Sequence, residues 1–98
     1  MKMKNIEFWK LCKKLVADYA NEHLDKSDNI VTGITEDQVY IVWSCKVLQN
    51  AKALVSTELP DGMYYEITYN GDKEEIYLDA YKKFENRYIK LEEVNKHE

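Results

Sequence analysis

Proline and glycine are nearly missing from this sequence, with one proline and three glycines in 98 residues. Long irregular loops rely on those residues for their turns, so most of the chain is expected in helices and strands. Cysteine is also scarce. Cys12 and Cys45 sit in apolar surroundings, whereas a secreted domain of this size usually carries a paired disulfide framework. No apolar run approaches the roughly 18 residues of a membrane span. The first ten residues, MKMKNIEFWK, hold neither the apolar stretch nor the small-residue cleavage site of a secretory signal. These gaps together predict a soluble protein of a reducing cytoplasm with no membrane partner.

Chemical signatures are lacking too. There is no glycine-rich phosphate loop, and Cys12, His23, Cys45 and His97 show none of the spacings of a zinc site. Cys12 and His23 are eleven residues apart on one predicted helix, about 16 Å along its axis, too far for a nucleophile–base pair. Cys45 is expected to point with Trp43 into the apolar face of a strand, where a thiol is packing. Residues 25–36, DKSDNIVTGITE, place Asp25, Ser27, Asn29 and Glu36 at calcium-loop positions. Ile30 stands where the loop needs glycine, however, and a strand rather than a helix follows, so a plain connection is expected. The reading is of a protein that is not an enzyme and has no cofactor and no metal.

What is present is a patterned chain of ordinary apolar content, 45% hydrophobic, which suffices for one small core despite a third of the residues being charged. A single domain over 1–98 is expected. The net charge of −4 is segregated. Residues 1–15 carry five Lys and one Glu, while residues 16–45 and 61–81 each carry one Lys and six acids. General nucleic-acid binding is disfavoured by that balance. Lys10, Lys13 and Lys14 read as the solvated side of an amphipathic helix.

Periodicity predicts the elements. Phe8, Cys12, Leu15, Val16, Tyr19, Ala20 and His23 recur at helical spacing, giving a helix at about 6–24 with Asn5 as its N-cap. NIVTGITED (29–37) reads as an edge strand or a packed connection. From Gln38 the period becomes two, with Val39, Ile41, Trp43, Cys45 and Val47 on one face. Further strands are predicted at 52–59, 63–69 and about 74–79, separated by turns at Gln49-Asn50, Pro60-Asp61-Gly62 and Asn70-Gly71. The last dipeptide is a strong signal for a two-residue type I′ hairpin. Tyr77, Tyr81, Phe84, Tyr88 and Leu91 then form a helical stripe, so a C-terminal helix is predicted at about 80–91. The fold class is α+β: an antiparallel meander of three to four strands at about 38–79, packed against an N-terminal and a C-terminal helix.

Residues 60–81 hold five of the eight tyrosines and six carboxylates. In a hairpin of strands 63–69 and 74–79, Tyr65, Ile67 and Tyr69 share a core face. Tyr64 and Glu66 share the other face, and on the partner strand Tyr77 and Asp79 alternate with Ile76 and Leu78. Tyr64, Glu66, Tyr77 and Asp79 are the candidate binding residues, because tyrosine offers a large contact area, little rotamer freedom to lose and a polar tip. The competing reading is architectural, since tyrosine has high β-propensity and commonly covers half-exposed sheet faces.

The run VYIVWSCKVLQNAKALVSTELPDGMYYEITYNGDKEEIYLDAYKKFEN resembles a family of small uncharacterised proteins encoded by phages and prophages of Gram-positive bacteria. The resemblance spans roughly 36–90 and implies a phage accessory protein in the host cytoplasm; it brings no assigned catalytic or binding residues. The expected function is therefore binding of a host or phage protein, with inhibition of a host process or defence as one form. The alternative is a small-ligand module, nucleotide or metabolite, with its pocket between sheet and helices or at a subunit interface. A homodimer is compatible with exposed strand edges.

Overall fold

A computed structural model describes residues 3–24 and 33–95 of the chain. Phe8, Cys12, Val16 and Ala20 repeat every four residues, and this stripe is the buried side of helix α1 (Asn5–Glu22). The helix begins with Lys4 in extended conformation and no side-chain cap, so Asn5 is its first helical residue rather than its N-cap. The Lys4 carbonyl accepts the first helical bond, from the Phe8 N–H at 2.9 Å. At the other end His23 stacks on Tyr19, one turn back, with ring centroids 4.0 Å apart.

Four antiparallel strands follow in simple sequential order: β1 (Val39–Val47), β2 (Asn50–Thr57), β3 (Met63–Asn70) and β4 (Glu75–Lys82). The expected α+β class and meander are present. One face of the sheet carries Ala53, Val55, Ile67 and Tyr65, all at 2% exposure or less, against which α1 lays Phe8, Cys12 and Val16. The small alanines at 51 and 53 let the helix approach β2. Tyr19 meets Tyr65 edge-on, with centroids 5.5 Å apart. Full burial of each large apolar side chain contributes about 1.5–3 kcal/mol, and this single layer is the whole core among the described residues.

The connection into the sheet is a packed segment, not an edge strand, where it is described. The Asn21 side chain closes a two-way pair with the Ile34 backbone, Nδ2 donating to the carbonyl at 2.9 Å and Oδ1 accepting from the N–H at 2.8 Å. It thereby holds the buried Ile34 against α1. A single 3-10 turn (Glu36–Gln38) with a Thr35/Gln38 capping box then delivers the chain to β1. The calcium-like segment falls mostly in residues 25–32, outside the described residues.

Three further expectations are corrected. The β3–β4 hairpin is not a two-residue turn on Asn70-Gly71. Asn70 is the last ladder residue, paired with Glu75, and residues 71–74 form the loop. The Asn70 Oδ1 accepts from the N–H groups of Asp72 and Lys73 at 3.1 and 3.2 Å, and Glu74, not Gly71, takes the left-handed conformation (φ 53°). Gly71 is needed for a different reason: a Cβ there would collide with the Gln49 carbonyl of the neighbouring β1–β2 turn.

The helix expected at 80–91 is also not formed. β4 continues to Lys82, still paired with Met63, residues 83–90 have no regular structure, and only a short helix α2 (Leu91–Asn95) ends the described chain. Tyr77 and Tyr81 fit both periods. Ile76 and Leu78 pack inward when the segment is a strand, and pairing with β3 satisfies its backbone, so the strand wins.

The third correction is in β1. The pairing runs Ile41 with Val55 and then Trp43 with Leu54, so Val42 is an extra residue and forms a bulge. Alternation inverts beyond it. Val39 and Ile41 pack into the core, whereas Trp43, Cys45 and Val47 turn to the face away from α1. Ser44 and Lys46 take the helix side: Ser44 Oγ accepts from Trp9 Nε1 at 2.9 Å, and Lys46 Nζ donates to the Met3 carbonyl at 3.0 Å.

Candidate functional site

The side of the sheet opposite α1 is the candidate site, and no element of the described chain covers it. Its side chains stand in rows fixed by the register. The upper row is Tyr40, Ser56, Tyr64 and Tyr81; the next is Trp43, Leu54, Glu66 and Asp79; the third is Cys45, Lys52, Thr68 and Tyr77. The four residues singled out from the sequence are thus brought together: Glu66 is paired with Asp79, and Tyr64 and Tyr77 stand in the rows on either side.

Chemically the face has two halves. The β3–β4 half carries the tyrosines and carboxylates. Lys52 reaches Glu66 at 3.1 Å, while Asp79 is exposed. The Tyr77 hydroxyl donates to Glu75, and that bond raises the pKa of the phenol, because ionising it would remove the donor and set two negative charges side by side. Tyr64 is half-buried and Tyr77 about half exposed, so both offer surface to a partner.

The β1–β2 half is apolar, an outcome that the uninterrupted alternation in the sequence concealed. Val42, Trp43 and Val47 are each 45% exposed or more, and Cys45 is open to solvent, which overturns the expectation that it packs in the core. Trp43, Cys45 and Val47 line a groove of about 610 Å³ that extends over Lys52 and Thr68. A second depression, about 430 Å³, lies between Tyr40 and Tyr64 at the far end of the face. Nothing in the sequence marked the inversion: Ser44 and Lys46 read as outward-facing residues, yet on the helix side each finds a polar partner, Trp9 and the Met3 carbonyl.

The other candidates from the sequence separate. Cys12 is fully buried in mid-helix, and burial pushes its thiol up to about 12, so it stays protonated at neutral pH and is no nucleophile. His23 lies at the C-terminus of α1, eleven positions on. Among the described residues no three His, Cys, Asp or Glu side chains are grouped to hold a metal ion, and no helix is long and apolar enough to cross a membrane.

Among the described residues, one long helix packed on one side of a four-stranded antiparallel sheet, with the tyrosine-rich side left bare, defines an α+β domain. The chain belongs to DUF6275, a family of unknown function whose model matches residues 9–91. No match was found among curated proteins or among solved structures.

Proposed function

We propose that this is a non-enzymatic protein-binding module whose contact surface is the β3–β4 half of the bare sheet face. The observation that carries the reading is the placement of Tyr64, Glu66, Tyr77 and Asp79 in three adjacent cross-strand rows on a face that α1 leaves uncovered. Flat surfaces of this composition suit protein partners. Two tyrosines supply rigid contact area, and carboxylates beside them select a partner with basic residues. The space between α1 and the middle of the sheet is filled by Phe8, Cys12 and Val16, which gives a small-ligand pocket there little support.

The resemblance of residues 36–90 to phage and prophage proteins of Gram-positive bacteria supports a finer version: an accessory protein acting in the host cytoplasm on a host or phage protein, with inhibition of a host process as the outcome. Affinity capture with the tagged full chain from a Gram-positive lysate, with and without nuclease, tests this. One dominant protein that survives nuclease treatment is expected. Recovery of nucleic acid alone, or of a small molecule released on denaturation with no protein, contradicts it.

A further inference from the structure

Two apolar surfaces have no partner among the described residues. One is the β1–β2 half of the sheet face, centred on Trp43. The other is the segment that follows β4. Phe84 is 100% exposed, Tyr88 84% and Leu91 81%, with Ile89 also in solvent. Rings and branched side chains left wholly in water forgo the main driving force of folding.

The size of the molecule says the same. Its radius of gyration is 16.8 Å, against about 13 Å for a compact chain of this length. Its accessible surface is 7786 Å², against about 5,800 Å² for a compact monomer of this mass. The excess, about 2,000 Å², is more than twice the roughly 800 Å² that each partner contributes to a standard protein–protein interface.

The segment cannot readily serve its own sheet. The Lys83 N–H donates to the Gly62 carbonyl at 2.7 Å, so the chain leaves β4 along the strand direction, past the end of the sheet. To cover Trp43 it would have to reverse at once and cross back over three strands. Residues 83–91, KFENRYIKL, contain neither the glycine nor the proline that tight reversals favour. At up to about 3.3 Å per residue they span about 30 Å, enough to reach a neighbouring molecule.

We propose that the occupant of the Trp43 groove is a second copy of this chain, which lays the Phe84–Leu91 arm across it, while its own groove receives the arm in return. Such a reciprocal exchange is the isologous arrangement of a twofold dimer, with both arms docked by one symmetry operation. It leaves the tyrosine–carboxylate half of each face free, so it stands independently of the reading given above.

Light scattering of the full chain at micromolar concentration tests the exchange, with Phe84→Asp and Trp43→Asp as variants. Both side chains lie outside the core, so circular dichroism should show each variant folded. The expected mass is twice the 11.6 kDa of the chain, and each substitution should weaken the dimer by about a hundredfold or more. A monomeric full chain overturns the proposal, as does a dimer that either variant leaves intact.

Discussion

Glu66 and Asp79 stand directly opposite each other across β3 and β4, two carboxylates in one cross-strand pair. Like charges so placed destabilise a sheet, and Lys52, 3.1 Å from Glu66, compensates only one of them. Asp79→Asn should therefore raise unfolding stability in urea by about 0.5 kcal/mol. The same substitution should weaken capture of a protein partner. Loss of stability instead would mean that the acidic pair is structural.

The two turns at one end of the sheet are locked together at Gly71. Its N–H donates to Asn50 Oδ1 at 3.1 Å, and Gln49 bonds Asp72 across the same gap. Gly71→Ala forces a methyl group against the Gln49 carbonyl and should cost about 1–3 kcal/mol in chemical denaturation. Leu48, exposed and held at φ 56°, is strained instead of crowded. Leu48→Asn, a residue that tolerates that conformation, should gain about 0.5–1 kcal/mol.

The two thiols should behave oppositely. Only Cys45 should react with a thiol reagent in the native protein, and both after denaturation. Cys12 also links stability to pH. Burial raises its pKa from 9.0 in the unfolded chain to about 12 in the folded one. The unfolded chain thus releases a proton that the folded chain retains, so the stabilisation is intact below pH 9 and is lost as pH rises from there towards 12. Cys12→Ala should remove this alkaline loss, measured as the difference between the two proteins' denaturation midpoints across that range.

The bulge makes its own prediction. Val42 is the extra residue, because Ile41 and Trp43 pair with the consecutive residues Val55 and Leu54. Deleting Val42 should therefore keep Trp43 and Cys45 on the outer face, with the protein folded and Cys45 as reactive as before. Loss of that reactivity would show that the strand had shifted by one residue and turned its side chains over.

Much of this architecture was legible in the sequence. The α1 stripe and the alternation of β3 marked the core, and they placed Tyr64, Glu66, Tyr77 and Asp79 on one face. What failed did so where two patterns fit the same residues. Val39 to Val47 alternate without interruption, and only the pairing with β2 exposes Val42 as surplus. Tyr77, Tyr81, Phe84 and Tyr88 satisfy a helical period, yet the strand gains a hydrogen-bonded partner and burial for Ile76 and Leu78, while a helix would have needed a core surface of its own. Asn70-Gly71 marked the correct hairpin but the wrong turn, because Gly71 answers to a neighbouring loop rather than to its own backbone angle. The bare Trp43 half of the face followed from the bulge and so stayed hidden with it.

The bare face, and not the helix side, is expected to meet the partner protein. A photo-crosslinking amino acid placed at Tyr77, and in a separate protein at Lys10 on the exposed side of α1, tests this in a Gram-positive lysate. One covalent protein adduct is expected from position 77 and none from position 10. The same adduct from position 10, with nothing from position 77, would contradict it and leave the tyrosine face as architecture alone.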